Sequence, residues 1–271
     1  MSALIVFSHA NSFAASTYGV LFRSLRSRGF QVRAPEKFGH DPAYPVTSNW
    51  PQLVRQLHNF AEDAVRGHEG PLYYVGHSLG GYLSLMTACR HPRPAGRAID
   101  GVLLIDSPVV SGWRATAVQL AKSTGAVGAL GPGSISRRRR QHWASRAEAR
   151  AHFTGKPLFA AWEPAVLDDY LAHGLQDTPD GGCTLAFDRT VETAIYNTLP
   201  HNLDRLLRRH PPPCPVGFIG GTRSAEMRQV GIAMTQRITQ GRIAMLEGSH
   251  LFPMEKPLET AAAIEAALRS F

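Results

Sequence analysis

Cysteine is scarce in this chain. Only Cys89, Cys183 and Cys214 occur, far apart and without a C-x-x-C pair. That argues against a disulfide scaffold and a structural zinc site, and it points to a reducing compartment, the cytoplasm. Long apolar runs are also missing: no stretch approaches the roughly 20 residues of a membrane helix, so no transmembrane segment is expected. The apolar N-terminal segment Leu4-Ile5-Val6-Phe7 lacks a basic flank and is too short for a signal peptide. Lysine is rare, 4 residues against 25 arginines in a basic total of 29. With 21 acidic residues the formal net charge is +8, a balance that attracts nucleic acid, anionic lipid or acidic substrates. Part of the excess is local, in Arg137 to Arg140, Arg146 and Arg150. No RNA-recognition, helix-turn-helix or zinc-finger signature accompanies it, so no nucleic-acid partner is expected and the cluster reads as a solvated segment. H-x-x-x-H and H-E-x-x-H patterns are absent, and no G-x-G-x-x-G follows a strand-like run. Neither a metal nor a dinucleotide is called for, and no cofactor is expected.

What is present is enough for a sizeable core. The 271 residues are 44% hydrophobic and 18% charged, which suits one large domain or a core carrying an insertion. Leu4-Ile5-Val6 reads as a buried strand, ending at Ser8-His9-Ala10-Asn11. Tyr18, Leu21, Phe22 and Leu25 have helical spacing within Ala14–Arg28, and Gly29 stops that helix. Phe30–Ala34 reads as a strand. Asn49 is expected to cap a helix opening at Trp50-Pro51, with Leu53, Leu57, Phe60 and Ala64 as its buried stripe. Strands follow at Pro71–Val75 and Gly101–Ile105, with a helix between them to about His91. After an irregular stretch the pattern resumes with a strand at Pro215–Ile219, a helix around Glu226–Gln240, a strand at Arg242–Leu246 and a helix at about Leu258–Ser270. Strands alternating with helices predict a parallel sheet with right-handed crossovers. Residues 1–108 and 214–271 are assigned to this core. Residues 109–213, mostly helical and loop-like, are expected to be a cap over the C-terminal ends of the strands, where ligands bind in such sheets.

The chemistry concentrates in Gly76-His77-Ser78-Leu79-Gly80, between a predicted strand and helix. This fits G-x-S-x-G, a strained turn that raises a serine above the sheet at the N-terminus of a helix. The two glycines leave room where a side chain would meet neighbouring backbone. A serine hydroxyl is a weak nucleophile without a base. His250 follows the last predicted strand and precedes the last helix, the place of the base in this arrangement. Leu79, directly after the serine, offers one backbone N–H to an oxyanion.

These pieces resemble the α/β-hydrolase superfamily over nearly the whole chain. The matching residues are Ser8-His9-Ala10-Asn11, the Gly76–Gly81 elbow, Gly248-Ser249-His250, and Pro35–Asp41 as the loop after the second strand. The resemblance implies an α/β-hydrolase fold of about six mostly parallel strands flanked by helices, with a helical cap insertion. The usual N-terminal hairpin has no counterpart in the sequence. It also implies a serine hydrolase of small esters, thioesters or lactones, acting through a Ser-His-acid triad. A carbon–carbon bond hydrolase and a non-catalytic ligand-binding protein of the same fold are the alternatives; the oligomeric state is left open. By resemblance, Asn11 supplies the second oxyanion N–H. The usual acid position falls near Ser224 or Ala225, and neither can serve. Asp106, ending the strand after the elbow helix, is favoured as the acid, with Glu226 as the alternative. Among the cap aromatics Trp113, Trp143, Phe159, Trp162, Tyr170 and Tyr196, core packing is favoured over an acyl-pocket role.

Overall fold

The computed structural model describes residues 2–109 and 136–271. Six strands, β1 (Leu4–Ser8), β2 (Gln31–Arg33), β3 (Leu72–His77), β4 (Gly101–Ile105), β8 (Val216–Gly221) and β9 (Ile243–Leu246), form one sheet in the order β2-β1-β3-β4-β8-β9. Every pairing in it is parallel. Their near-continuous apolar runs follow from burial on both faces. Side chains alternate across a strand, so Leu4, Val6, Leu72, Tyr74, Val102, Leu104, Val216 and Phe218 join one core cluster. Ile5, Phe7, Val75, Leu103, Ile105 and Ile219 join the other.

Helices cover both faces. α1 (Gly19–Ser27) brings Leu21, Phe22 and Leu25 to the second cluster, as the helical spacing predicts. On the opposite face lie α2 (Pro51–Ala64), with Leu53, Val54, Leu57 and Ala61, and α3 (Leu79–Arg90), with Leu83, Leu85 and Met86. Two local expectations change. Asn49 does not cap α2: Trp50 precedes the helix in a left-handed conformation, and the Asn49 side chain instead accepts from the His201 N–H at 2.9 Å. The stretch 226–240 is not one helix but two, α9 (Ala225–Val230) and α10 (Ala233–Thr239), because Gly231 turns the chain at φ 78°. After the short helix α11 (Phe252–Glu255), α12 (Pro257–Arg269) brings Ala261, Ile264 and Leu268 to the α1 side.

A mainly helical insertion lies between β4 and β8. Its described part holds α4 (Arg146–Thr154), a short turn of helix α5 (Pro157–Ala160), α6 (Pro164–His173), α7 (Arg189–Asn197) and α8 (Leu203–Arg209). It also holds an antiparallel sheet of β5 (His142–Trp143), β6 (Leu175–Asp177) and β7 (Cys183–Leu185) in the order β5-β7-β6. The sequence reading did not anticipate this sheet. Strands of two or three residues are too short to show an alternating pattern. Phe153, Phe159, Trp162 and Tyr170 pack ring against ring, with centroids 4.7–5.7 Å apart. Phe13, from the loop after β1, meets Trp162 at 5.5 Å and Tyr170 at 6.0 Å. The insertion is thereby tied to the C-terminal edge of the main sheet. No described helix is long and apolar enough to cross a membrane.

Candidate active site

The turn from β3 into α3 is built around a strained serine. Ser78 has φ 54° and ψ −115°, and its N–H donates to the Ile105 carbonyl at 3.0 Å. This conformation costs energy in a non-glycine residue, and the packing of the flanking residues holds it. A Cβ on Gly76 would collide with the Gly80 carbonyl, and one on Gly80 with the Ser8 carbonyl. Both glycines are therefore required by close backbone approach.

Ser78, His250 and Asp106 come together from three separate segments. His250 Nε2 lies 2.9 Å from Ser78 Oγ, and its Nδ1 lies 2.6 Å from Asp106 Oδ2. The tautomer that satisfies both carries the proton on Nδ1, donates it to the carboxylate, and accepts the serine O–H at Nε2. Asp106 sits just past β4, fully buried, at φ 43°. Its Oδ1 accepts the Gly221 N–H at 2.8 Å, and its Oδ2 accepts the Ser224 O–H at 2.6 Å. Glu226 is also near, its Oε2 3.7 Å from His250 Nδ1, but that is beyond hydrogen-bond length and the side chain is 46% exposed.

Ser224 is a residue that sequence reasoning passed over. It stands near the usual acid position of the resemblance, and it hydrogen-bonds the carboxylate of Asp106, which lies just past another strand. It also caps α9 by accepting the Met227 N–H. A capping serine before a helix is legible in sequence; its second partner, 118 residues away, is not.

Asn11 and Ser78 line the same cavity, of about 810 Å³. The Asn11 amide is tied down on both sides: Nδ2 donates to the Glu192 carbonyl at 3.1 Å, and Oδ1 accepts the Ser12 N–H at 3.1 Å. Leu79 opens α3, buried beneath the serine. Among the described residues, the backbone N–H groups of Asn11 and Leu79 have no hydrogen-bond acceptor.

Two further histidines brace the site. His77, inside the elbow, faces the Tyr18 hydroxyl at 2.8 Å through Nδ1 and the His250 carbonyl at 2.9 Å through Nε2. The Tyr18 oxygen in turn accepts the Ala10 N–H at 3.0 Å. One chain of hydrogen bonds thus links the loop after β1, the elbow and the histidine loop. Burial, then the nearby His250 ring, lowers the His77 pKa to about 3. His9 accepts the Phe38 N–H at 3.1 Å through Nε2 and contacts its neighbour's carbonyl, Ala10 O, at 2.8 Å through Nδ1. Burial lowers its pKa to about 4. Both rings are neutral at physiological pH, as these partners require.

Of the aromatics singled out in the insertion, Trp143, Phe159, Trp162 and Tyr170 are buried in the core cluster, and Phe159 and Tyr196 line the cavity. Trp113 lies outside the described residues. The tetra-arginine run is not uniformly solvated. Arg137, Arg138 and Arg140 are exposed, but Arg139 is largely covered, pairs with buried Glu192 at 3.2 Å and donates to the Tyr170 hydroxyl at 2.6 Å. Glu192 also accepts the Ser12 O–H at 2.5 Å. This pairing fastens the insertion to the loop that carries Asn11. Asp106, Glu226 and His250 have ligand atoms within 4.8 Å of one another. A metal held by all three would have to replace the hydrogen bond between His250 Nδ1 and Asp106 Oδ2.

Residues 5–263 match the model of a family described as the alpha/beta hydrolase family. No curated protein matches the sequence. Among solved structures, the chain resembles an E-2-(acetamidomethylene)succinate hydrolase, with 19% identity, a TM-score of 0.73 and coverage of 99% of this chain and 92% of that one. It also resembles the peroxisomal alpha-beta-hydrolase Lpx1 of Saccharomyces cerevisiae, at 15% identity and TM-score 0.72, covering 100% of this chain and 78% of that one. A thioesterase domain from the curacin biosynthetic pathway is a third, at 17% identity and TM-score 0.72, with coverages of 97% and 91%. At these identities the likeness is one of fold.

Proposed function

Since the chain belongs to the alpha/beta hydrolase family, we propose that it is a serine hydrolase that cleaves a carboxylic ester, or a related thioester or lactone, through an acyl-enzyme. One observation carries this reading: the unbroken relay Ser78 Oγ, His250 Nε2 at 2.9 Å, and His250 Nδ1, Asp106 Oδ2 at 2.6 Å, opening on a cavity. Ser78 attacks the carbonyl carbon while His250 takes its proton at Nε2. Asp106 keeps the imidazole in the required tautomer and stabilises the imidazolium that forms. The N–H groups of Asn11 and Leu79 receive the oxyanion, and α3 adds the positive end of its dipole. His250 then passes the proton to the leaving group, and water, activated by the same ring, releases the acid.

In this reading residues 109–213, of which 110–135 lie outside the described residues, are a lid, and Phe13, Phe159 and Leu251 are the apolar part of the acyl pocket. The three cysteines are free, in keeping with the cytoplasm as the proposed compartment. A fluorophosphonate probe should label the protein at Ser78, and Ser78→Ala should abolish labelling and turnover of p-nitrophenyl esters of graded chain length. Label that persists in Ser78→Ala, or maps to another residue, removes the reading. Intact binding without any labelling would favour the non-catalytic alternative.

A further inference from the structure

The cavity over Ser78 is unevenly charged. Five basic side chains line it, Arg138, Arg139, Arg140, Lys156 and Arg223, against two acids, Glu192 and Glu226. Three of the five are neutralised by the protein. Arg139 pairs with Glu192 at 3.2 Å, Arg140 with Glu148 at 2.6 Å, and Arg223 with Glu247 at 2.8 Å. Arg138 and Lys156 are different: among the described residues neither has a carboxylate within 4.0 Å. Lys156 is half-buried, and its ammonium stands 5.7 Å from the centre of the Phe153 ring, a contact that offers no counter-charge. Burial, followed by the positive charge of Arg139, lowers its pKa. A partly desolvated cation beside other cations is unfavourable until an anion is supplied. Apolar Phe13, Phe159 and Leu251 share the cavity, so its lining suits a chain that is apolar along its length and charged at one point.

We propose that Lys156 and Arg138 form a subsite for an anionic group, a carboxylate or a phosphate, that the substrate carries away from the scissile carbonyl. This deepens the serine-hydrolase reading and rests on it for the word substrate, but the subsite itself is testable without turnover. The anion would complete the charge balance that the protein leaves open, with charge-assisted hydrogen bonds to an ammonium and a guanidinium. It would also hold the bound chain in the cavity that Ser78 and His250 line. The preference should weaken as salt rises, since the site is in contact with solvent.

The full-length Ser78→Ala protein is titrated by calorimetry at low salt with monomethyl glutarate, propyl phosphate and the uncharged dimethyl glutarate. At least one anion should bind tenfold or more tightly than the diester, and the better of the two identifies the source of the charge. Lys156→Met and Arg138→Gln, each made separately in the same background, should each reduce that advantage several-fold. Lys156→Arg should retain it, and Lys156→Glu should reverse it. In the serine-intact enzyme, the ratio of kcat/KM for p-nitrophenyl hemiglutarate to that for p-nitrophenyl pentanoate should fall about tenfold on Lys156→Met. Anions that bind no better than the diester, or an advantage that survives both single substitutions, overturn the subsite. Absence of Ser78 labelling would overturn only the serine-hydrolase reading, because the titrations judge the subsite independently.

Discussion

At the scale of single residues, the choice between two acids comes down to burial and to the donors that surround each. Asp106 is fully buried, and its oxygens accept from the Gly221 N–H, the Ser224 O–H and the His250 ring, which together fix the carboxylate against the imidazole. Glu226 is half in solvent, 3.7 Å from the ring. If Asp106 is the acid, Asp106→Asn should leave a folded protein that has lost about 10³–10⁴-fold in turnover, because the amide favours the wrong tautomer. Glu226→Gln should stay within about threefold of the parent, as expected of an exposed charge. Ester-hydrolysis kinetics on the two variants, with circular dichroism to check folding, decide the matter; a reversed order would move the acid to Glu226. Ser224→Ala removes one neutral donor to a charged acceptor and should cost about 1.5–3 kcal/mol. Most of that should appear in kcat, with the remainder in the stability of α9, which loses its cap.

At the scale of elements, the site exists because turns from different strands are locked to one another. The Ala10–Tyr18–His77–His250 chain couples the loop after β1 to the elbow and to the loop after β9. Tyr18→Phe deletes its middle member and leaves the Ala10 N–H and a His77 nitrogen buried without partners. Leaving a buried polar group unpaired costs about 1–3 kcal/mol, so the thermal midpoint should fall by several degrees, by roughly 2–4 °C per kcal/mol. Turnover should fall with it, since Ala10 precedes the proposed oxyanion donor. A Tyr18→Phe enzyme with parental melting and parental kcat would show that the chain of hydrogen bonds does not brace the site. Gly80→Ala is the harsher change. It sets a methyl against the Ser8 carbonyl of β1, a collision between two backbones that no rotamer relieves, and the soluble yield should collapse.

At the scale of the whole molecule, buried neutral histidines link stability to pH. His9 and His77 are lowered to about 4 and about 3, in both cases chiefly by burial. In the unfolded chain a histidine titrates near 6.5. Above that pH both rings are neutral in both states, and their contribution to stability is fully present. As pH falls from about 6.5 toward 4, the unfolded state binds protons that the folded state refuses, and stability drops by about 1.4 kcal/mol per pH unit for each ring. Together they predict a loss of about 2–3 kcal/mol per pH unit in that window. Urea midpoints measured between pH 7 and 4.5 test this; a flat profile would mean that one or both rings protonate in the folded protein. The lid reading is also tested at this scale. Phe159→Ala should shift chain-length preference on p-nitrophenyl esters more than it changes turnover of the acetate, because the ring lines the cavity and takes no part in the relay.

How much of this was legible in one dimension depends on the range of the interaction. The individual strands and helices and the elbow follow from local patterns, decided within about a dozen residues: continuous apolar runs, helical spacing, and glycines where backbone must approach backbone. The parallel sheet and the place of His250 follow from the order of those elements along the chain, so the sequence by itself determined them as well. The short β5-β7-β6 sheet left no period to read, and the break at Gly231 and the role of Asn49 depended on what packs nearby. The partners of Asp106 were beyond reach for a different reason. Gly221, Ser224 and His250 meet it only because β4, β8 and β9 lie side by side. Which carboxylate is sheltered and which faces water is therefore a property of strand order. The same holds for Arg139, one of four identical neighbours in sequence and the one that folding turns inward to Glu192. Burial and desolvation are set by everything around a group at once, and only the tertiary structure supplies those surroundings.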